Sequence, residues 1–325
     1  MNPPEISVIT PIDQAFERVK QVLFRPFDLG RWFVIGFCAW LALLGEGGFN
    51  FNFNLGGRNQ GNVDLQTGLE HAREYVAANL VWIVPLAIVL IACGLCLGVL
   101  FTWLRSRGTF MFLHCVATNR AEVVVPWRRF RRQGNSLFWF RLVLGLSQFA
   151  ASVPLLVPAG LRAYRMAVNG DWPASGILTL VAFGLALLAL SIVFAIIDKL
   201  AVDFVAPIMF LRGGLCLEGW RELLPLLAAR LGAFVLYILF QILMAIAIGI
   251  GLLVAVLITC CLAACLLVLP YLGTVALLPV LVFKRAYSLH YFAQFGPEFD
   301  AFRPPVPPVV PPPSTAPPGN GAAGI

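Results

Sequence analysis

The chain alternates between long stretches without a charge and short stretches crowded with them. No charged residue falls between Arg31 and Glu46, Glu74 and Arg105, Arg141 and Arg162, or Asp171 and Asp198, and 53 uncharged residues separate Arg230 from Lys284. A helix needs roughly 20 apolar residues to cross the hydrocarbon of a bilayer. Each shorter gap therefore predicts one spanning helix, and the last predicts two joined by a tight turn. The predicted fold class is all-α: a polytopic membrane helix bundle of about six transmembrane helices with interfacial amphipathic helices. The spans fall near 29–48, 77–104, 138–160, 174–198, 231–257 and 263–287. The first is the shortest. Its uninterrupted core, Trp32 to Gly45, is 14 residues, a length that also suits a re-entrant segment, and spanning requires Arg31 to snorkel inward.

Composition agrees with lipid as the main solvent. Hydrophobic residues make up 60% of the chain and charged ones 12%, where soluble domains carry about 25%. Placing the N-terminus inside puts 19 basic residues in the inner segments and four outside (Arg58, Arg73, Arg162 and Arg165). The positive-inside rule then predicts a multi-pass protein of the bacterial cytoplasmic (inner) membrane with both termini cytoplasmic. The net charge of +7 falls where anionic inner-leaflet lipid lies, so the expected partner is the bilayer and not nucleic acid. A membrane-protein partner or a second copy is compatible with the same pattern. The first 30 residues are polar and amphipathic, which predicts no cleavable signal peptide.

Three regions follow. Residues 1–28 form a cytoplasmic amphipathic segment, with a helix over 11–24 that Thr10 N-caps and Pro11 opens. Ile12, Ala15, Phe16, Val19, Val22 and Leu23 make its apolar stripe, suited either to the inner interface plane or to packing on the protein's own cytoplasmic loops. Residues 29–300 form the transmembrane domain, with an external loop at 49–76 where Phe49, Phe51 and Phe53 alternate with Asn. Residues 301–325 carry nine prolines and predict a disordered cytoplasmic tail.

Segments 105–137 and 199–229 look like two versions of one element. The first reads Gly-Thr-Phe-Met-Phe-Leu before Trp127-Arg128, the second Ala-Pro-Ile-Met-Phe-Leu before Trp220-Arg221. With Arg31-Trp32, they suggest three tandem units, each an interfacial helix followed by a two-helix hairpin. Trp127, Arg128, Arg129, Arg131, Arg132, Trp220 and Arg221 are the candidate lipid-headgroup contacts, because Trp and Arg anchor at the interface.

Candidate chemistry is sparse. Cys93 and Cys96 have redox or metal spacing, yet sit mid-span without a basic neighbour. Gly94 and Gly98 beside them, like Ala245-xxx-Gly249 and Ala247-xxx-Gly251, point to close helix packing. Cys260, Cys261 and Cys265 lie near the last turn, where one disulfide is conceivable on the outer side; Cys38, Cys115 and Cys216 look like buried thiols. His71, His114 and His290 have no ligand spacing, and the sequence predicts no cofactor. The best polar cluster is Asp198, Lys199, Asp203 and Pro207, since charge at membrane depth is costly. Lys199 and Asp203 face each other on a helix, and Pro207, without an N–H, frees the carbonyl of Asp203. That arrangement suits a cation or proton site, or a structural ion pair with an inner-loop arginine.

Phe24-Arg-Pro-Phe-Asp-Leu-Gly-Arg-Trp-Phe, Asp203-Phe-Val-Ala-Pro-Ile-Met and Arg285-Ala-Tyr-Ser-Leu with Gln294-Phe-Gly-Pro resemble a family of uncharacterised bacterial multi-pass membrane proteins carrying a domain of unknown function. They are distantly similar to the membrane domain of glycerophosphodiester phosphodiesterases. The resemblance covers most of residues 8–300 and implies architecture without chemistry, because the soluble phosphodiesterase domain is absent. The expected function is non-catalytic: scaffolding, assembly or envelope organisation. The alternative is a carrier or lipid-handling protein using the interfacial helices and the Asp203/Lys199 site.

Overall fold

The computed structural model describes residues 6–45, 74–75, 78–170, 173–259 and 269–302. Nearly all of the predicted external loop, His71, Cys260, Cys261, Cys265 and the proline-rich tail lie outside them. Among the described residues every regular element is helical. Helix α1 (Thr10–Val19) continues through a wide π turn (Lys20–Phe24) towards α2 (Leu29–Leu43), and α3 is Leu80–Thr118. Short α4 (Val124–Arg129) leads into α5 (Arg131–Asn169); α6 (Ala174–Leu200) passes through a π turn (Ala201–Val205) into α7 (Ala206–Arg212). Then come α8 (Cys216–Ala229), α9 (Leu231–Ile258), α10 (Pro270–Ala276) and α11 (Leu278–Ala293).

Among the described residues four helical runs are long and apolar enough to cross a membrane: Leu80–Thr118, Arg131–Asn169, Ala174–Arg212 and Leu231–Ile258. They correspond to the second to fifth predicted spans. The first and sixth predicted spans are not among these four, and residues 263–268 of the sixth lie outside the described residues. Helix α2 ends at Leu43 after 15 residues, about 22 Å at 1.5 Å per residue against roughly 30 Å of hydrocarbon. In the described part of the sixth, α10 and α11 meet at a turn at Leu277.

The helices also outrun the gaps that predicted them. At 39 residues, α3 is about 58 Å long, and its last 14 residues lie beyond the predicted end at 104. Charge-free gaps measure hydrocarbon depth and not helix length. The overhang from Ser106 to Ala117 is buried throughout, whereas in the most apolar windows of α3, α5 and α6 no residue is buried. Long apolar arms thus project from one packed core at the helix ends.

That core gathers the inner half of α3, the π turn and α7, the first half of α9, and α11. Phe204 lies edge-on to Phe234, Tyr237 and Phe292, with ring centroids 5.0–5.3 Å apart. The two similar segments meet in it, Phe130 stacking on Phe210 at 5.0 Å. Each contains a left-handed C-cap, Asn119 at φ 56° and Gly213 at φ 72°, the conformation that ends helices and favours Asn and Gly.

Helix α1 packs on α11 with Ala15, Val19, Val22 and Leu23 buried, and Phe16 sets its ring 4.7 Å from that of Phe283. Most of its apolar stripe is therefore covered by the protein's own helix, with Phe16 54% exposed. Thr10 is not the N-cap. Ser7 Oγ accepts from the N–H groups of Ile9 and Thr10 at 3.2 and 3.3 Å, one turn earlier. Helix α1 in turn supplies Arg18, whose Nη2 donates to the carbonyls of Val116 and Ala117 at 2.8 and 2.6 Å. A guanidinium there satisfies orphan carbonyls at the negative end of the α3 dipole.

Candidate functional site

The polar centre is built around the π turn between α6 and α7. Ala206 N–H reaches back five residues to the carbonyl of Ala201. The next residue, Pro207, has no N–H, so neither Asp203 O, four back, nor Val202 O, five back, receives a bond from it. Both carbonyls are taken by α11 instead: Arg285 Nη1 donates to Val202 O at 2.9 Å and Ser288 Oγ to Asp203 O at 3.0 Å. The carbonyl expected to be open to a cation is thus occupied by a side chain 85 residues away.

The Asp203 carboxylate is equally committed. Lys199 Nζ lies 2.8 Å from it, Arg285 Nη1 3.8 Å away, and the Tyr237 hydroxyl donates at 2.9 Å while accepting from Gln241 Nε2 at 3.0 Å. Asp203 is 8% exposed, and a buried carboxylate needs such partners. Five residues earlier, Asp198 binds two arginines from two other helices. Arg105 Nη2 of α3 donates to Oδ2 at 3.0 Å and Arg141 Nε of α5 to Oδ1 at 2.9 Å. Arg141 also donates to Ser106 Oγ at 3.4 Å.

Both carboxylates, with Lys199, Arg105, Arg141, Arg285 and Gln241, line one cavity of about 420 Å³. Ala195, Asp198, Lys199 and Val202 recur along α6 and its π turn at helical spacing and form one wall; Ala42, Leu43, Phe112 and Leu281 give an apolar wall. Five lining side chains are basic (Arg105, Arg141, Lys199, Lys284 and Arg285) and two are acidic (Asp198 and Asp203). Among the described residues Lys284 pairs with no carboxylate. A cavity with excess positive charge and an apolar flank suits an anionic amphiphile better than a cation.

Asp198, Lys199 and Asp203 are thus brought together, with Pro207 buried behind them. The other predicted contacts lie elsewhere. Arg128, Arg129, Arg131, Arg132 and Arg221 are exposed around α4, α5 and α8 and do not line the cavity. Trp127 and Trp103 instead flank the buried Arg107, ring centroids 4.6 and 4.8 Å from its Cζ, a cation–π clamp. Trp220 packs on Phe140 at 5.7 Å. Among the described residues the paired glycines lack the close contacts expected of them: a Cβ at Gly94, Gly98, Gly249 or Gly251 would meet nothing within 4 Å. Cys93 and Cys96 are exposed, whereas Cys38 and Cys115 are buried with their sulfurs 3.8 Å apart.

Sequence reasoning missed Arg105, Arg141, Lys284, Arg285, Tyr237 and Gln241 as parts of one site. A signal for three of them was present. Arg105, Arg141 and Lys284, like Asp198, each bound a charge-free gap at its inner end. Residues at the same depth on neighbouring spans are the ones a bundle can bring together.

A family model described as a family of unknown function (DUF7544) matches residues 6–283. No curated protein and no solved structure matches the chain.

Proposed function

The chain belongs to the DUF7544 family, and from the geometry of its inner cavity we propose that it is a lipid-handling protein of the bacterial inner membrane that holds the phosphate-bearing headgroup of an anionic phospholipid. One observation carries the proposal: five basic and two acidic side chains line a cavity with an apolar flank, at the ends of helices long and apolar enough to span. Guanidinium groups match phosphate oxygens in geometry as well as charge. A scaffold without a ligand favours a filled, apolar centre at this depth, since keeping charges there is costly.

In this reading six segments cross the bilayer with both termini cytoplasmic, and α2 and the α10–α11 pair form the two short crossings. The chain is then three units, each an interfacial helix followed by a hairpin. The common left-handed caps at Asn119 and Gly213 and the matching Phe-Leu and Trp-Arg landmarks support that division. A reporter fused after residue 55 is expected to face outward, and a cytoplasmic reading would overturn the six-span arrangement.

The binding reading is tested by native mass spectrometry of the full chain in detergent with phosphatidylglycerol and phosphatidylcholine. Wild type is expected to retain the anionic lipid preferentially. Arg141→Gln removes a charged donor worth about 1.5–3 kcal/mol, which lowers affinity about tenfold or more at 1.4 kcal/mol per decade. Equal retention of both lipids, or an unchanged preference in a folded Arg141→Gln protein, would contradict the proposal.

A further inference from the structure

Resting on that reading, we infer that Asp198 is an internal stand-in for the ligand phosphate: its carboxylate occupies the arginine pair when the cavity holds no lipid and gives way when a phosphate enters. Asp198 offers one oxygen to each guanidinium, Oδ2 to Arg105 at 3.0 Å and Oδ1 to Arg141 at 2.9 Å. Two oxygens on one centre, facing two arginines from separate helices, reproduce the acceptor pattern of a phosphodiester. The two carboxylates of the cavity differ in how far they can yield. Asp203 is fixed on one oxygen by Lys199 and the Tyr237 hydroxyl, and its side chain is 11% exposed. The Asp198 side chain is 22% exposed, lines the cavity and, among the described residues, is held by the two arginines alone.

Charge gives the exchange its direction. With Asp198 in place the lining charge is +3, five basic against two acidic groups. An incoming phosphodiester brings a further negative charge, and Lys284, which pairs with no carboxylate among the described residues, lies in the same lining to receive it. Asp198 therefore competes with the ligand, and its carboxylate sets the affinity low enough for release. The same competition gives both guanidinium groups a carboxylate acceptor in the absence of the ligand.

The consequence runs against the usual expectation for a binding-site residue: removing Asp198 tightens binding. Asp198→Asn keeps the size and removes the charge. Binding of dioctanoyl phosphatidylglycerol and of inorganic phosphate to the full chain in detergent is measured for wild type and variant, with phosphatidylcholine as the neutral reference. We expect Asp198→Asn to bind the anionic lipid at least tenfold more tightly, with no change for phosphatidylcholine. A parallel gain for inorganic phosphate shows that the phosphate group alone suffices; a gain for inorganic phosphate but not lipid would keep the stand-in and overturn the lipid as its source. If wild type binds the lipid and Asp198→Asn binds equally or less well, the inference fails while the binding reading stands. If neither protein binds either probe, both fail. Should Asp198→Asn not fold, Arg105→Gln/Asp198→Asn compared with Arg105→Gln removes the same carboxylate with one cation fewer, and the double variant must bind more tightly than the single one.

Discussion

Replacing Gly108 by alanine tests the packing of α2 on α3, which holds one wall of the cavity in place. A Cβ at Gly108 would lie 2.5 Å from Ala42 N, 2.5 Å from the Leu41 carbonyl carbon and 2.7 Å from Leu41 Cβ. Two of these atoms are backbone, so no rotamer change relieves the overlap and the helices must separate. Overpacking costs typically 1–3 kcal/mol, and the rigid contacts place this case at the upper end. Alanine recovers about 1 kcal/mol of helix propensity over glycine. The net loss is about 2 kcal/mol, or about 4–8 °C at the 2–4 °C per kcal/mol of mid-sized domains. Gly98→Ala is the control on the same helix. Its Cβ meets nothing within 4 Å, so only the propensity gain remains and stability holds or rises. Thermal unfolding in detergent, followed by tryptophan fluorescence, measures both. A Gly108→Ala protein that melts with wild type, or a Gly98→Ala protein that falls as far, would refute the close approach of α2 and α3.

Two further outcomes follow from buried polar groups. Tyr237→Phe deletes the hydroxyl that donates to Asp203 and accepts from Gln241; leaving buried groups unsatisfied costs about 1–3 kcal/mol, and an unchanged melting temperature would show that Tyr237 does not hold the carboxylate. Burial, with Arg18 nearby and Asp300 opposing, pushes the His290 imidazole down from 6.5 to about 4. Between those values the unfolded chain binds a proton that the folded chain refuses, so this contribution is fully present above about pH 6.5 and is lost as pH falls towards 4. A His290→Gln protein should lose less stability than wild type over that window, and parallel pH profiles would exclude the effect.

How much of this was legible in the sequence depends on the range of the interaction. The fifth predicted span, 231–257, matches Leu231–Ile258, and the fourth begins at Ala174 as expected, because apolar length is a local property. The Lys199–Asp203 pair was legible for the same reason, being one helical turn apart. Pro207 announced a missing donor, but not that Ser288 and Arg285 would replace it from α11. Small residues at four-residue spacing gave a false signal at Gly94 and Gly98, since spacing fixes which residues share a face but not what that face meets. The close approach occurs instead at Gly108, in the buried stretch of α3 beyond the predicted end of its span. The arginine-rich run at 128–132 read as a headgroup site because charge density is visible in sequence. Arg105, Arg141 and Arg285, which line the cavity, are scattered over three helices.

Photocrosslinking within the cavity tests the central claim most directly. A photoactivatable residue at Leu281, which lines the cavity, is compared in native membranes with one at Leu239, 61% exposed on an apolar arm. The account predicts that adducts at position 281 are enriched in anionic phospholipids over the bulk membrane, while adducts at 239 mirror bulk composition. Adducts at 281 that match bulk composition, or no lipid adducts there at all, would contradict it.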